Sequence, residues 1–433
     1  MTMTGLTRPR LLDGADGGAA DGADLDRHHR RHGPLPAPAG LVETVRAAGL
    51  TGRGGAAFPT WRKLTSVAEA AARTGREPVV VANGAEGEPA SRKDRALLRY
   101  APHLVLDGLR LAASAVGARR AYLYLPPRYA DGMRAALARR QGSGWDRLPV
   151  ELVGAPAGFV AGEESAVLAR IAGRPAVPAD RLRPVAESGL RGTPSLVQNV
   201  ETLAHLALVA RHGSDWFRGA GTAEEPGTFL ATVGGAAVRP GVYEAGCGVR
   251  LDELLAMAGG AAAPVQAVLV GGYHGVWLPG TRLDAPVSRA GLAPFGGAPG
   301  AGVVVVLPEG ACGLRATAGI ASYLADASPG QCGPCRNGLP AIAREFAALA
   351  AATTPAATTP AAATPAAATP AGTAGTAAPA DPARIGWLAG MVSGRGACRH
   401  PDGTARLVDS ALRAFDTEVR RHLAGTCVER STR

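Results

Sequence analysis

The sequence predicts an α/β fold built on a central, largely parallel sheet, followed by a smaller α+β unit and a helical C-terminal part. Three observations carry this prediction. Short β-branched apolar runs alternate with helix-period segments up to about residue 226, the arrangement expected of βαβ units. Near Thr228 the texture changes to short strands separated by glycine pairs, and beyond Val303–Leu307 the apolar residues recur at helical spacing.

Taken in order, residues 1–38 are rich in Gly, Ala, Asp, His and Pro without periodicity, and are expected to be a disordered tail. Its dense run, Arg27 to His32, reads as solvated rather than metal-binding. Leu41, Val42 and Val45 mark a short helix that leads into a glycine-rich turn at Gly52–Gly55. Pro78–Ala82 and Ala121–Leu125 read as buried strands with a helix over Ala101–Val116 between them. A strand at Val150–Val153 and a helix at Glu164–Ile171 follow. The first domain is placed at residues 39–226. A second, at 227–302, has strands at Thr228–Val233, Gly241–Tyr243 and Ala267–Val270 and a helix at Leu251–Ala258. The third, at 303–427, has helices at Leu314–Ala325, Gly338–Ala350 and Ala405–Leu423. Within it, Thr353–Ala380 is an Ala-Thr-Pro repeat. Recurrent proline forbids a continuous helix there, and residues 352–383 are expected to form a flexible insertion.

Bulk properties exclude several classes. No apolar run approaches the roughly 18 residues that span a bilayer, so no direct membrane insertion is expected. The first residues show no apolar secretory core, and a cytoplasmic location is expected. The net charge of +10 comes from scattered arginines with only 4% aromatic residues, which argues for local anion sites and against nucleic acid. Six unevenly spaced cysteines, including the close pair Cys332 and Cys335, suggest metal or redox chemistry rather than disulfides. Nucleophile elbow, Walker loop and zincin motifs are all missing from the sequence, leaving no support for acyl, glycosyl or phosphoryl transfer.

Four segments have the composition of ligand loops. Gly52-Arg53-Gly54-Gly55 with Phe58, Pro59 and Lys63 could bring backbone N–H groups and positive charge to a phosphate or a planar ring, or could be a plain turn. Asn83 to Pro89, with Glu86 and Glu88, follows a strand, where α/β folds place ligands; surface solvation is the competing reading. Gly162-Glu163-Glu164 opens a helix that acidic residues would stabilise in any case. Asn199 and Thr202, before an apolar helix, could equally be caps.

In order and spacing these four segments resemble the NADH-binding flavoprotein subunit of respiratory complex I and its relatives in NAD-linked hydrogenases and formate dehydrogenases. Lys93-Asp94-Arg95, Pro102-His103-Leu104, Ser188-Gly189-Leu190 and Arg239 to Tyr243 add to the likeness, which spans residues 41–350 and 385–427. The resemblance implies a Rossmann-like flavin domain, a ubiquitin-like β-grasp (SLBB-type) domain and a cluster-bearing helical bundle. It implies FMN held by Gly52, Arg53, Gly54, Gly55, Lys63, Asn83, Glu86, Gly162, Glu163, Asn199 and Thr202. Glu88 and Glu164 would lie where NADH enters, in catalytic positions, with Phe58 near the nicotinamide or adenine. It further implies a [4Fe–4S] cluster on Cys332, Cys335 and Cys398.

The chain departs from the family pattern at Ala85, Gln198, Ser66, Pro184 and Pro329, the last replacing the first cluster cysteine. His400 is the fourth ligand suggested by position, and Cys312 a second candidate; an open iron site or a remnant dithiol are the other readings. Cys247 and Cys427 read as ordinary thiols. The expected function is NAD(P)H oxidation, with electrons passing from FMN through the cluster to a ferredoxin-like or quinone-linked partner or another electron-transfer subunit. A relay with a non-nicotinamide donor and a non-enzymatic scaffold are the alternatives.

Overall fold

The structure, a computed structural model, describes residues 9–12, 24–36, 39–145, 148–180, 183–351 and 381–428. Its first sheet is parallel throughout. Strands β1 (Val79–Asn83), β2 (Ala121–Leu125), β3 (Val150–Gly154) and β4 (Ser195–Asn199) lie in the order β3-β2-β1-β4. Parallel strands need crossovers, and the helices that supply them bury the sheet, so β1 and β2 are apolar on nearly every residue. β4 is not evident from the sequence as a strand. Its polar end, Gln198-Asn199, hides a buried start of Ser195, Leu196 and Val197.

The Pro102–Val116 helix packs on the Val200–Arg218 helix with almost no space between backbones. A Cβ on Gly108 would sit 1.9 Å from the Leu203 carbonyl oxygen, so only glycine permits this crossing.

The second sheet is mixed, in the order β6-β5-β9-β7-β8. It comprises β5 (Thr228–Gly235), β6 (Gly241–Gly246), β7 (Val265–Val270), β8 (Val276–Pro279) and β9 (Val303–Pro308), with β5 and β9 the parallel pair. Helices Gly313–Asp326, Leu339–Ala351, Pro382–Val392, His400–Ala414 and Asp416–Leu423 follow. Leu314, Ile342, Phe346, Ile385 and Leu407 share their core with Leu269 and Trp277 of the second sheet. The single helix expected over Ala405–Leu423 is interrupted at Phe415.

The disordered reading of residues 1–38 is corrected over 24–36. Leu25–His32 is a helix capped by Asp24, whose carboxylate accepts from the Asp26 and Arg27 N–H groups. His28 is buried, with Nε2 2.7 Å from Asp107 Oδ2. Low hydrophobicity concealed this helix because its anchor is a polar contact to a residue 79 positions away. Leu11 is buried too, and the N–H groups of Arg10, Leu11 and Leu12 all donate to Glu244 Oε2. Residues 352–380, most of the expected insertion, lie outside the described residues; Asp381 caps the helix that follows. Among the described residues, no helix is long and apolar enough to cross a membrane.

Candidate functional site

The strand order reverses at β1. The chain steps from β1 outward to β2 and β3, then returns to place β4 on the other side of β1. Crossover connections therefore leave in opposite directions, and the C-terminal ends of β1 and β4 form the switch point, the crevice position at which open α/β sheets bind ligands. Asn83 and Asn199 end these two strands as register partners.

Three loops and a helix N-terminus meet at that crevice. The Gly52–Phe58 turn closes through Gly52 N–H donating to the Phe58 carbonyl at 2.9 Å, and Arg53 N–H donates to Thr202 Oγ1 at 2.8 Å. Gly54 lies over Asn199: a Cβ there would meet Asn199 Cβ at 3.4 Å. Asn83 Nδ2 donates to the Gly162 carbonyl at 2.9 Å. A Cβ on Gly87 would lie 2.3 Å from the Phe159 oxygen, so the loop after β1 and the Phe159–Gly162 turn touch backbone to backbone. Phe58 stands at the surface, 46% exposed.

A buried ion network sets the floor. Lys93, 3% exposed, donates from Nζ to Asp94 Oδ1 at 2.7 Å and Asn199 Oδ1 at 3.1 Å, and lies 3.0 Å from Glu201 Oε2. Burial works against its charge, but Asp94 and Glu201 outweigh it and hold the ammonium above its ordinary value. Asn199 also donates to Asp94 Oδ2 at 2.8 Å and caps its helix by accepting from Glu201 N–H at 3.0 Å. Sequence reasoning singles out Lys93 and Asp94 without a role, and misses Glu201 as a charge partner. Their signal is charge in helix segments otherwise buried.

The acidic residues divide by task. Glu86 caps the Lys93–Tyr100 helix, accepting from Ser91 Oγ at 2.7 Å and Asp94 N–H at 3.0 Å. Glu88 accepts from Ala90 N–H and, across to the second sheet, from Tyr273 N–H at 2.8 Å. Burial pushes its carboxyl up to about 7. Glu163 caps the Glu164–Ile171 helix through Ser165 and Ala166 N–H. Glu164 pairs with Lys63 at 2.9 Å, and Lys63 also donates to the Val197 carbonyl of β4 at 3.2 Å.

Two buried donors in this region, Gln198 Nε2 and Arg53 Nε, have no hydrogen-bond partner among the described residues. Such groups are costly unless a ligand or water meets them. The glycine-rich turn, these unmet donors and the Lys63 ammonium fit an anionic, hydrogen-bonding ring cofactor such as FMN.

Cys332, Cys335 and Cys398 lie near enough to influence one another electrostatically, though their sulfurs are not all within 4.8 Å of one another. Cys335, in a π-helical turn over Pro334–Gly338, is pushed up to about 11, first by burial and then by the nearby Cys332 and Cys398 sulfurs, against a hydrogen bond from Ser328. Cys332 is lowered despite partial burial, because the Ala397 N–H and Cys335 stabilise its thiolate. Burial raises Cys398, with Glu163 and Cys332 adding to the effect. Three convergent thiols fit three corners of an iron–sulfur cluster. Gln331 Nε2 donates to the Pro178 carbonyl at 2.7 Å, so this loop abuts the segment that follows the Glu164–Ile171 helix.

His400, the candidate fourth ligand, makes other contacts in this structure. Its Nε2 donates to the Leu324 carbonyl at 2.8 Å, which leaves Nδ1 as the acceptor for His274 Nε2 at 3.0 Å. Both ring nitrogens are engaged by the protein in this structure. Instead it packs with Phe159 and His274 in an aromatic contact joining the first loop region to the second sheet and the helices.

Comparison with known proteins identifies relatives of the whole chain. Residues 45–208 match the family described as the Nuo51 FMN-binding domain, and residues 315–422 match the NADH-ubiquinone oxidoreductase-F iron-sulfur binding region. The chain is 31% identical over 405 residues to the F 2 subunit of NADH-quinone oxidoreductase from Rhizobium meliloti (strain 1021), covering 89% of each. It is 30% identical over 429 residues to the corresponding F-type subunit of Mycobacterium tuberculosis (strain ATCC 25618 / H37Rv), covering 93% of this chain and 90% of that protein. A solved NAD+-reducing [NiFe]-hydrogenase in its H2-reduced state superposes with TM-score 0.74 at 29% identity, over 90% of this chain and 62% of the hydrogenase chain. Its air-oxidised form gives 0.75 at 28%, over 96% and 68%. The chain belongs to the family of F-type subunits of NADH-quinone oxidoreductase.

Proposed function

We propose that this chain oxidises NADH at an FMN held in the crevice between β1 and β4, and delivers the electrons singly through a [4Fe–4S] cluster on Cys332, Cys335 and Cys398. The observation that carries this reading is the switch point itself: Asn83 and Asn199 in register beneath a glycine-rich turn, with unmet buried donors beside them. FMN, when bound, supplies the conversion between two-electron hydride chemistry and one-electron transfer. The residues of this chain supply binding, orientation and field.

Gly54 and Gly55 would present backbone N–H groups to the cofactor in a turn that Gly52 and Arg53 close, with Asn83, Glu86, Gly162, Glu163, Asn199 and Thr202 fixing the loops that surround it. Lys63 would neutralise anionic charge. Its pairing with Glu164 keeps that ammonium at the crevice wall rather than in solvent. Phe58, exposed at the rim, offers a face on which a nicotinamide or adenine ring could stack. Glu88, held by two backbone N–H groups, orients the loop after β1 against the second sheet. The mixed sheet is read as a β-grasp unit of the SLBB type and the last five helices as the cluster-bearing bundle. The acceptor is a ferredoxin-like protein or another electron-transfer subunit, for which the +10 charge suits an acidic surface. A cytoplasmic location belongs to the same reading.

The test is FMN affinity in Asn199→Ala. This change removes the side-chain bonds to Lys93, the Asn83 carbonyl, Asp94 and Glu201 N–H that hold the two strand ends together, and loosening them should weaken FMN binding roughly tenfold or more. Unaltered FMN affinity in the folded variant would overturn the placement.

A further inference from the structure

We propose that Cys312, His422 and Cys427 form a second metal site, separate from the iron–sulfur cysteines, that binds Zn2+ and clamps the end of the chain onto the helices. Sequence reasoning assigns these residues no common role: 110 positions separate Cys312 from His422, and Cys427 belongs to no motif. The fold brings one ligand atom from each within 4.8 Å of the others. Cys312 Sγ lies 3.3 Å from His422 Nε2.

The imidazole is already prepared for metal. His422 Nδ1 donates to the Leu349 carbonyl at 3.0 Å, which leaves the Nε2 lone pair facing the sulfur. A carbonyl behind the distal nitrogen is the arrangement that orients metal-bound histidines. Cys312 occupies the N-cap of the Gly313–Asp326 helix, and Arg315 N–H donates to its sulfur at 3.5 Å, which fixes where the sulfur points, although burial holds the free thiol well above its ordinary value. Both Cys312 and His422 are buried, while Cys427 is half-buried and gives access from solvent.

This group is distinct from the cluster cysteines. Cys312, His422 and Cys427 gather their ligand atoms within 4.8 Å of one another without Cys332, Cys335 or Cys398, and Cys335 sits on the separate Pro334–Gly338 turn. Glu418 cannot be the fourth ligand without release, since it binds Gly313 N–H and Gln266 Nε2. Two thiolates and an imidazole select a thiophilic ion over magnesium or calcium, and three protein ligands leave one tetrahedral position for water. Binding forms two Zn–S bonds and one Zn–N bond, the latter at Nε2, and releases the two thiol protons. The ion would tie residues 426–428 and the Asp416–Leu423 helix to the start of Gly313–Asp326 and, through His422, to the end of Leu339–Ala351.

The test uses the full chain purified anaerobically, stripped of loosely held metal and titrated with Zn2+. Metal content and zinc X-ray absorption are read for wild type, Cys427→Ser and Cys335→Ser. The proposal expects bound zinc with sulfur neighbours at about 2.3 Å and nitrogen at about 2.0–2.1 Å. Cys427→Ser should weaken zinc binding roughly tenfold or more with iron content unchanged, while Cys335→Ser should lose iron and keep the zinc. Three results would overturn it: equal zinc affinity in Cys427→Ser and wild type, zinc lost together with iron in Cys335→Ser, or a Cys312–Cys427 disulfide in the anaerobic protein.

Discussion

Replacing Glu201 by glutamine should destabilise the flavin-side domain more than any surface change of the same chemistry. The wild-type carboxylate is 1% exposed, lies 3.0 Å from Lys93 Nζ and accepts from Leu230 N–H at 2.8 Å. Glutamine keeps the shape but carries only one acceptor, so its amide N–H2 must face either the Lys93 ammonium or the Leu230 N–H. One donor is left buried and unmet, and Lys93 retains a single carboxylate partner, Asp94. Losing a charge-assisted hydrogen bond costs about 1.5–3 kcal/mol, and breaking a buried ion pair about 3–5 kcal/mol. A loss of about 3 kcal/mol lowers Tm by roughly 6–12 °C for a folding unit of about 150–250 residues. Differential scanning calorimetry measures this directly, and a double-mutant cycle with Lys93→Met isolates the pair. A drop below about 2 °C, or strict additivity in the cycle, would refute the claim that this network holds the floor of the crevice.

Two further outcomes follow from buried charges. Asp107 is fully buried and takes hydrogen bonds from Arg140, Arg211, His28 and Trp145; Asp107→Asn should cost about 3–5 kcal/mol in chemical denaturation and expose residues 24–36 to limited proteolysis. Glu88 has a folded pKa of about 7 against an ordinary 4.5, chiefly through burial, so its contribution is complete below about 4.5 and is lost as pH rises through 7. At about 1.4 kcal/mol per pH unit, wild-type stability should fall by up to roughly 3 kcal/mol between about pH 5 and about pH 8 relative to Glu88→Gln, as read from urea midpoints. Parallel pH profiles would show that Glu88 ionises freely.

Much of the first domain was legible because its physics is local. β1 and β2 are continuous apolar runs, and the helix starts at Pro102 and Glu163 carry ordinary N-terminal signals. The glycine-rich turn and the asparagines were legible as ligand loops, but not their convergence, which depends on β4 lying beside β1. That strand was hidden by its polar end. The Leu25–His32 helix was missed because it is anchored by a hydrogen bond from His28 to Asp107 rather than by an apolar stripe. Position in sequence nominated His400 as a metal ligand, whereas the contacts it makes here, to the Leu324 carbonyl and to His274, join elements far apart in the chain and leave no local signal. The Cys312–His422–Cys427 group lay beyond sequence reasoning for a related reason: no spacing rule links a strand end, a helix and a tail.

The most direct test of the central claim is anaerobic titration of the flavin-replete protein with NADH, followed by visible absorption. Bleaching of the flavin bands in proportion to added NADH, with the iron–sulfur absorbance falling after them, is the predicted result. A flavin that stays oxidised in the presence of excess NADH would contradict the account.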